Sequence, residues 1–250
     1  MAEPLIHFRD VHKSFDSLKV LDGVSLSIGK GQVTTVIGRS GVGKSVLLKH
    51  IVGLLAPDRG EVLYQGENIA RMSRAARREL KKKFSYMFQH MALFDSMTIF
   101  ENIALPLEEK TRMPKGAIRD RVMEKLEQLD LHGVGDDFPA QLSGGMRRRV
   151  ALARALITEP EIILFDEPTT GLDPILVTTV YNMIRRSRED FGFTAIVVSH
   201  DIPAVFHISE KVALLEKGRI VFAGTREEIE RSPDPVVQRF IRGEEDPEAG

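Results

Sequence analysis

Cysteine is absent from the 250 residues, which rules out disulfides and agrees with a reducing compartment. Long apolar runs are absent too. None approaches the ~20 residues that a membrane helix needs, and the longest, such as Ala195–Val198, are strand-sized. The opening MAEPLIHFRD has neither a basic n-region nor an apolar h-region, so no signal peptide is expected. Charge of one sign is not in excess. The formal net charge is −1 at pH 7, and no global basic surface points to nucleic acid. The expectation is a soluble chain that reaches a membrane only through a partner or a surface contact. Hydrophobic residues make up 42% of it, enough for a proper core.

Hydrophobic rhythm divides the chain. LIHFRDV, KVLDGVSLSI and QVTTVIG read as strands, and KSVLLKHIVGLL (Lys44–Leu55) as a helix with Pro57 just beyond it. GEVLYQGENI reads as a short strand and a turn, and FSYMFQ (Phe84–Gln89) as a strand. The middle is helical. TIFENIALPL is expected to break at Pro106, and AIRDRVMEKLEQLDL lines up Ile118, Val122, Leu126 and Leu129 on one face. Strands return in EIILFDEP, TAIVVSH and KVALLEKGRIVFAG, the last with a hairpin-like turn at Lys217–Gly218. Helices between strands predict a largely parallel sheet. The fold class expected is α/β: a P-loop sheet core (residues 1–90 and 159–250) with an antiparallel β section and an inserted helical subdomain (residues 91–158), all one domain.

GRSGVGKS (Gly38–Ser45) matches G-x-x-x-x-G-K-[ST] between a strand and a helix. Gly41 and Gly43 let backbone N–H groups face phosphates, Lys44 brings a point charge to the β and γ phosphates, and the Ser45 hydroxyl is a Mg²⁺ ligand. The plain alternative is a glycine-rich turn with a stray lysine. IILFDEP ends an apolar strand in Asp166 and Glu167, at the edge where α/β proteins bind ligands. Asp166 suits Mg²⁺ through water, and Glu167 suits a general base; two solvated acids before Pro168 are the alternative. Gln89 and His200 each close a strand. An amide there can ligate Mg²⁺, and a histidine can hydrogen-bond a γ-phosphate oxygen, though surface roles are commoner for either type. Phe15 offers a ring for stacking or for the core. LSGGMRRRVALARAL (Leu142–Leu156) places Ser and Gly at a helix start, which suits an anion or a plain cap with solvated or ion-paired arginines. RMSRAARRELKKKF (Arg71–Phe84) holds seven basic residues and one acid. A solvated basic helix is the plainer reading, and anionic headgroups or an acidic partner the other.

Taken in order, these motifs resemble the ATP-binding cassette (ABC) ATPases over nearly the whole chain. GRSGVGKS resembles Walker A, Gln89 the Q-loop, LSGGM the family signature, IILFDEP Walker B, GLDP (Gly171–Pro174) the D-loop and His200 the H-loop. The signature departs from the usual final Gln at Met146, which lacks an amide's donors. The resemblance implies ATP and Mg²⁺ held by Phe15, Gly38, Arg39, Ser40, Gly41, Val42, Gly43, Lys44, Ser45, Val46, Gln89, Asp166 and His200. It implies two copies paired head to tail, with the signature of one, through Ser143 and Gly145, completing the phosphate site of the other; it also puts Gly144 and Asp173 among the nucleotide-binding residues and Glu167, His200 and Lys44 in catalysis. SYMFQHMALFDSMTIFENIALPLEEKT, the Met-ending signature and SPDPVVQRFIRG are further similar to the ATPase subunits of Mla-type phospholipid transporters. That similarity implies an integral permease, a lipid-binding subunit, a small regulatory subunit and a place on the cytoplasmic face of the inner membrane. The rivals are an importer ATPase for a small solute such as an amino acid, a non-transport cassette acting as an ATP-controlled binding module, and a P-loop kinase. LSGGM has no place in the last.

Overall fold

The computed structural model describes residues 3–87 and 91–244. In chain order the strands are β1 (Ile6–Phe15), β2 (Leu18–Ile28), β3 (Val33–Ile37), β4 (Arg59–Tyr64), β5 (Glu67–Asn68), β6 (Phe84–Met87), β7 (Ile162–Asp166), β8 (Thr194–Ser199), β9 (Lys211–Glu216) and β10 (Arg219–Gly224). The helices are α1 (Lys44–Ile51), α2 (Arg74–Lys82), α3 (Ile99–Lys110), α4 (Lys115–Gln128), α5 (Gly144–Leu156), α6 (Pro174–Phe191), α7 (Arg226–Glu230) and α8 (Pro235–Arg242).

Two sheets form. The smaller is antiparallel in the order β2-β1-β4-β5. The larger runs β10-β9-β3-β8-β7-β6 and is parallel except for the β9–β10 hairpin, which turns at Lys217–Gly218 as expected. Every residue of β3 and β8 is buried, as in a sheet covered on both faces. Period-two alternation splits the core accordingly. Ile163, Phe165, Ala195 and Val197 join the cluster containing α3, α4, α5 and α6. Ile162, Leu164, Ile196 and Val198 join the cluster containing α1 and the antiparallel sheet. Parallel register aligns the strand ends: Ile37 pairs with Ser199, and Asp166 with Val198. The residues that follow β3, β7 and β8 therefore emerge along one edge, where α/β sheets bind ligands.

Two local expectations are corrected. The helix after the glycine loop stops at Ile51, four residues before Leu55. Gly53 is left-handed (φ 65°), and the Leu54 and Leu55 N–H groups both fold back to the Lys49 carbonyl, so the last turn closes on itself. The segment expected to break at Pro106 does not break, since α3 runs through it. An interior proline costs about 3 kcal/mol. Burial of Ile99, Ile103 and Leu107, each at most 1% exposed, offsets this at roughly 1.5–3 kcal/mol per side chain. A capping box between Thr98 and Glu101 secures the first turn. Of the strand expected over Phe84–Gln89, the described part ends at Met87, and Gln89 lies outside the described residues. Among the described residues no helix is long and apolar enough to cross a membrane.

Fully buried Asn102 on α3 ties down the segment that leads into the helix. Its amide nitrogen donates to the carbonyls of Phe94 (3.1 Å), Met97 (3.1 Å) and Thr98 (2.9 Å), and its Oδ1 accepts from the Phe94 N–H at 2.8 Å. Alanine would leave the Phe94 N–H and the Met97 carbonyl without these partners, while the Phe94 and Thr98 carbonyls keep the N–H groups of Met97 and Asn102. We expect Asn102→Ala to lower unfolding free energy by about 2–4 kcal/mol in urea titration, since each buried orphan costs roughly 1–3 kcal/mol. A loss below about 0.5 kcal/mol would show that solvent reaches the segment and satisfies it.

Candidate functional site

The loop leaving β3 is shaped by close backbone approaches. A Cβ on Gly38 would lie 2.5 Å from the Leu215 carbonyl oxygen, and Gly43 is left-handed at φ 111° with Val20 Cγ1 2.9 Å from where a Cβ would sit. Only glycine fits either place. The loop delivers Lys44 to the first position of α1 with its side chain 5% exposed. Its Nζ donates to the carbonyls of Gly38 (2.8 Å) and Arg39 (3.0 Å) and lies 3.1 Å from Glu167 Oε1. Val42 and Val46 pack on the core beneath the loop. Gly41, left-handed at φ 79°, and Ser40 are exposed at its rim.

β7 brings its two acids against this loop. The Ser45 hydroxyl donates to Asp166 Oδ1 at 2.8 Å, and the Tyr86 hydroxyl donates to Asp166 Oδ2 at 2.6 Å. Burial and the adjoining carboxylate raise the Tyr86 hydroxyl far above its ordinary pKa, which fixes it as a donor. Glu167 follows in a left-handed conformation (φ 51°), its N–H bonded to the Val198 carbonyl. Its Oε2 lies 2.6 Å from His200 Nδ1. Lys44, Ser45, Asp166, Glu167 and His200, expected to work together, are thus linked by direct contacts from the ends of three strands.

A buried hydroxyl chain supports the two residues that bracket this cluster. Tyr181 of α6, 1% exposed, shares hydrogen bonds with Thr169 (3.0 Å) and Ser199 (2.8 Å). Thr169 donates to the Asp201 carboxylate, and the Asp201 N–H donates to Ser199. Burial pushes the Tyr181 hydroxyl up to about 12. The chain clamps the turn after Glu167 to the turn carrying His200. Sequence reasoning missed Tyr86, Thr169 and Tyr181. Tyr86 sits three residues before Gln89 in a strand already picked out, but the other two carry no local signal.

Ser143 caps α5, accepting from the Met146 N–H at 3.3 Å. The arginines that follow clamp backbone. Arg147 donates to the Leu142 carbonyl (2.5 Å), Arg149 to those of Leu129 (3.4 Å) and Asp130 (3.2 Å), and Arg154 to those of Met91 and Ala92 (2.7 Å each). The first turn of α5 holds no acid, and nothing lies within 4 Å of where a Gly145 Cβ would point. Among the described residues, no hydrogen bond joins Ser143, Gly144 or Gly145 to the Gly38–Ser45 loop of the same chain. Asp173 caps α6, accepting from the N–H groups of Ile175 (3.0 Å) and Leu176 (3.1 Å). Phe15, 42% exposed at the end of β1, has Lys13 Nζ 5.5 Å from its ring centre. Arg39 donates to the Glu244 carbonyl at 2.8 Å.

The donors at Ser45 and Asp166 are hard oxygens, the kind Mg²⁺ takes. Among the described residues no group of three His, Asp or Glu side chains could hold a metal. The residues present fit an ion that takes its other ligands from phosphate and water, as Mg²⁺ does at nucleotide sites.

Comparisons with known proteins agree with this geometry. The family model for ABC transporters matches residues 21–170. The chain is 41% identical over 239 residues to the intermembrane phospholipid transport system ATP-binding protein MlaF of Escherichia coli, covering 96% of this chain and 89% of that one. It is 39% identical to the probable ribonucleotide transport ATP-binding protein mkl of Mycobacterium leprae, covering 95% of this chain and 69% of that one. The dimeric ATP-binding cassette MJ0796, in a post-hydrolysis state bound to ADP and Pi, superposes with a TM-score of 0.76 at 31% identity, over 88% of this chain and 98% of that one. With a glycine loop and lysine, a strand-end carboxylate pair and a serine-capped signature helix set on this sheet, the chain belongs to the ABC transporter family as an ATP-hydrolysing cassette.

Proposed function

We propose that two copies of this chain hydrolyse ATP at shared sites and drive an integral membrane permease that moves phospholipid, from the cytoplasmic face of the inner membrane. The contact set Lys44–Glu167–His200 and Ser45–Asp166 carries the catalytic part. Lys44 and the loop N–H groups hold the β and γ phosphates, and Phe15 stacks the base. Ser45, Asp166 and Gln89 would hold Mg²⁺, which supplies charge neutralisation on the phosphate oxygens. Glu167 accepts a proton from the attacking water. His200 orients that carboxylate and hydrogen-bonds the γ-phosphate. When Lys44 turns to phosphate it leaves Glu167, so nucleotide binding frees the base. Glu167→Gln should keep ATP binding and lose about 100- to 10,000-fold in turnover. Purified variant hydrolysing at the parental rate would refute the assignment.

The uncovered first turn of α5 supports a site completed between copies. It presents Ser143 and two glycines to a surface without touching its own phosphate loop, and MJ0796 forms a nucleotide-bound dimer. In this reading Ser143, Gly144, Gly145 and Asp173 serve the nucleotide of the second copy, and Met146 contributes packing in place of amide contacts. Ser143→Arg should bind ATP as a monomer and not hydrolyse it. ATP-dependent dimerisation of Ser143→Arg/Glu167→Gln in light scattering would count against sharing.

An apolar groove of about 360 Å³ beside the strand end of β6 supports permease docking. Its floor includes Val52, Phe84, Met87, Met91 and Pro106, with Lys110 at its rim. Met91 and Leu93 pack inward on the core, while Phe94 nearby is 48% exposed. The phospholipid cargo, with a lipid-binding subunit and a small regulatory one, follows the similarity to MlaF; the similarity to mkl supports a small-solute reading instead. Phe94→Asp should leave ATP binding intact and uncouple hydrolysis from transport. With the complete complex in vesicles, labelled phospholipid should transfer with ATP and not with a non-hydrolysable analogue. Transport of a soluble nucleotide or amino acid with no lipid transfer would overturn the cargo while leaving the cassette assignment intact.

A further inference from the structure

The residues from Arg71 to Lys83 hold seven bases and one acid in a chain whose net charge is −1, so positive charge is concentrated here against an acidic remainder. The structure arranges it on one side of α2. Arg74, Arg78 and Lys81 recur at i, i+4 and i+7 and are exposed, while Leu80 is buried and Ala76 half-buried toward the protein. Some neighbours are already engaged. Arg77 donates to the Ala70 carbonyl (3.0 Å), Lys82 pairs with Glu79 (2.8 Å), and Lys83 donates to the Tyr64 hydroxyl (3.0 Å). Arg71, Arg74, Arg78 and Lys81 have no acidic partner among the described residues. Holding like charges together on one face is unfavourable by a few tenths of a kcal/mol per pair. Nothing in the catalytic cluster uses this face.

What lies beside the stripe identifies its partner. Lys81 and Leu54 line the same groove proposed above for the permease, and Leu54 is 64% exposed. Exposed cations on flexible stems, set along a helix next to an exposed leucine, match the pattern of a surface resting on a lipid interface. A single protein carboxylate is best met by a guanidinium held in place by its own hydrogen bonds, and among the described residues none fixes Arg74 or Arg78, so this face suits a diffuse anionic surface better than one acidic side chain. We propose that the α2 face is a docking surface for anionic lipid headgroups. In this arrangement a permease seated in the groove holds the stripe against the membrane. The location rests on the permease reading, but the affinity for lipid is a property of this chain alone.

The test is flotation of the purified full chain with vesicles of phosphatidylcholine, and with vesicles containing about one-third phosphatidylglycerol, at about 0.15 M salt. The chain should bind the anionic vesicles and not the neutral ones. Arg74→Glu/Arg78→Glu should lower the partition coefficient by roughly 25-fold or more, from about fivefold per basic residue near an anionic surface. Its ATPase rate should match the parent, and should the charge reversal impair folding, Arg74→Gln/Arg78→Gln serves in its place. Failure of the parent to bind anionic vesicles, or undiminished binding by a folded double variant, would overturn the proposal. So would a permease complex, assembled in lipid-free detergent, whose stability depended on Arg74 and Arg78, since the partner would then be an acidic protein surface. Loss of permease association in Phe94→Asp is a separate readout and bears on the docking reading alone.

Discussion

The parallel register of β3, β8 and β7 is the constraint on which the rest of the molecule depends. Because Ile37 faces Ser199 and Asp166 faces Val198 across the ladder, three chain segments end within contact of each other. The chemistry then comes from Asp166 at the end of β7, from Glu167 and His200 directly after β7 and β8, and from Lys44 and Ser45 at the far end of the loop that leaves β3. A one-residue slip of β7 would carry its whole buried set to the opposite face. Ile163 and Phe165 would leave one core cluster and Ile162 and Leu164 the other. The position of Asp166 beside Ser45 is therefore enforced by two separate apolar cores.

Within that frame the charges restrain one another. Lys44 is held by two carbonyls of its own loop and by Glu167, which in turn holds His200. Asp166 is held by two hydroxyls. Buried charges of this kind are tolerable only when paired and hydrogen-bonded. The pairing sets the side chains in place before any phosphate arrives, at the cost that part of it must be exchanged for phosphate contacts.

How much was legible in the sequence follows from how local each signal is. The glycine loop, the FDE strand end and the serine before α5 are motifs whose chemistry requires neighbours in sequence, and each lies where it was read. The hydroxyl chain through Tyr181 joins residues 12 and 18 positions away in sequence, and no periodicity announces it. The arginines of α5 were read as anion-facing or solvated, yet Arg147, Arg149 and Arg154 bond carbonyls, two of them up to 20 and 63 residues away. Pro106 misled for a related reason. Propensity describes an isolated helix, whereas α3 is fixed by Ile103 and Leu107 in the core.

The grip of Arg154 has a mechanical meaning. Its guanidinium spans the carbonyls of Met91 and Ala92 with two bonds of equal length, and it stands near the far end of the helix that Ser143 begins. In the dimer proposed above one end of α5 would meet the second copy, and the other is tied to the segment bordering the groove. A helix resists compression along its axis far better than packed side chains resist sliding. Residues 91–92 are thereby tied through Arg154 to the same helix that Ser143 begins, about 16 Å away at 1.5 Å per residue. A lysine at 154 could hold only as a point donor, without the fork that fixes direction, so the linkage would remain and its stiffness would not.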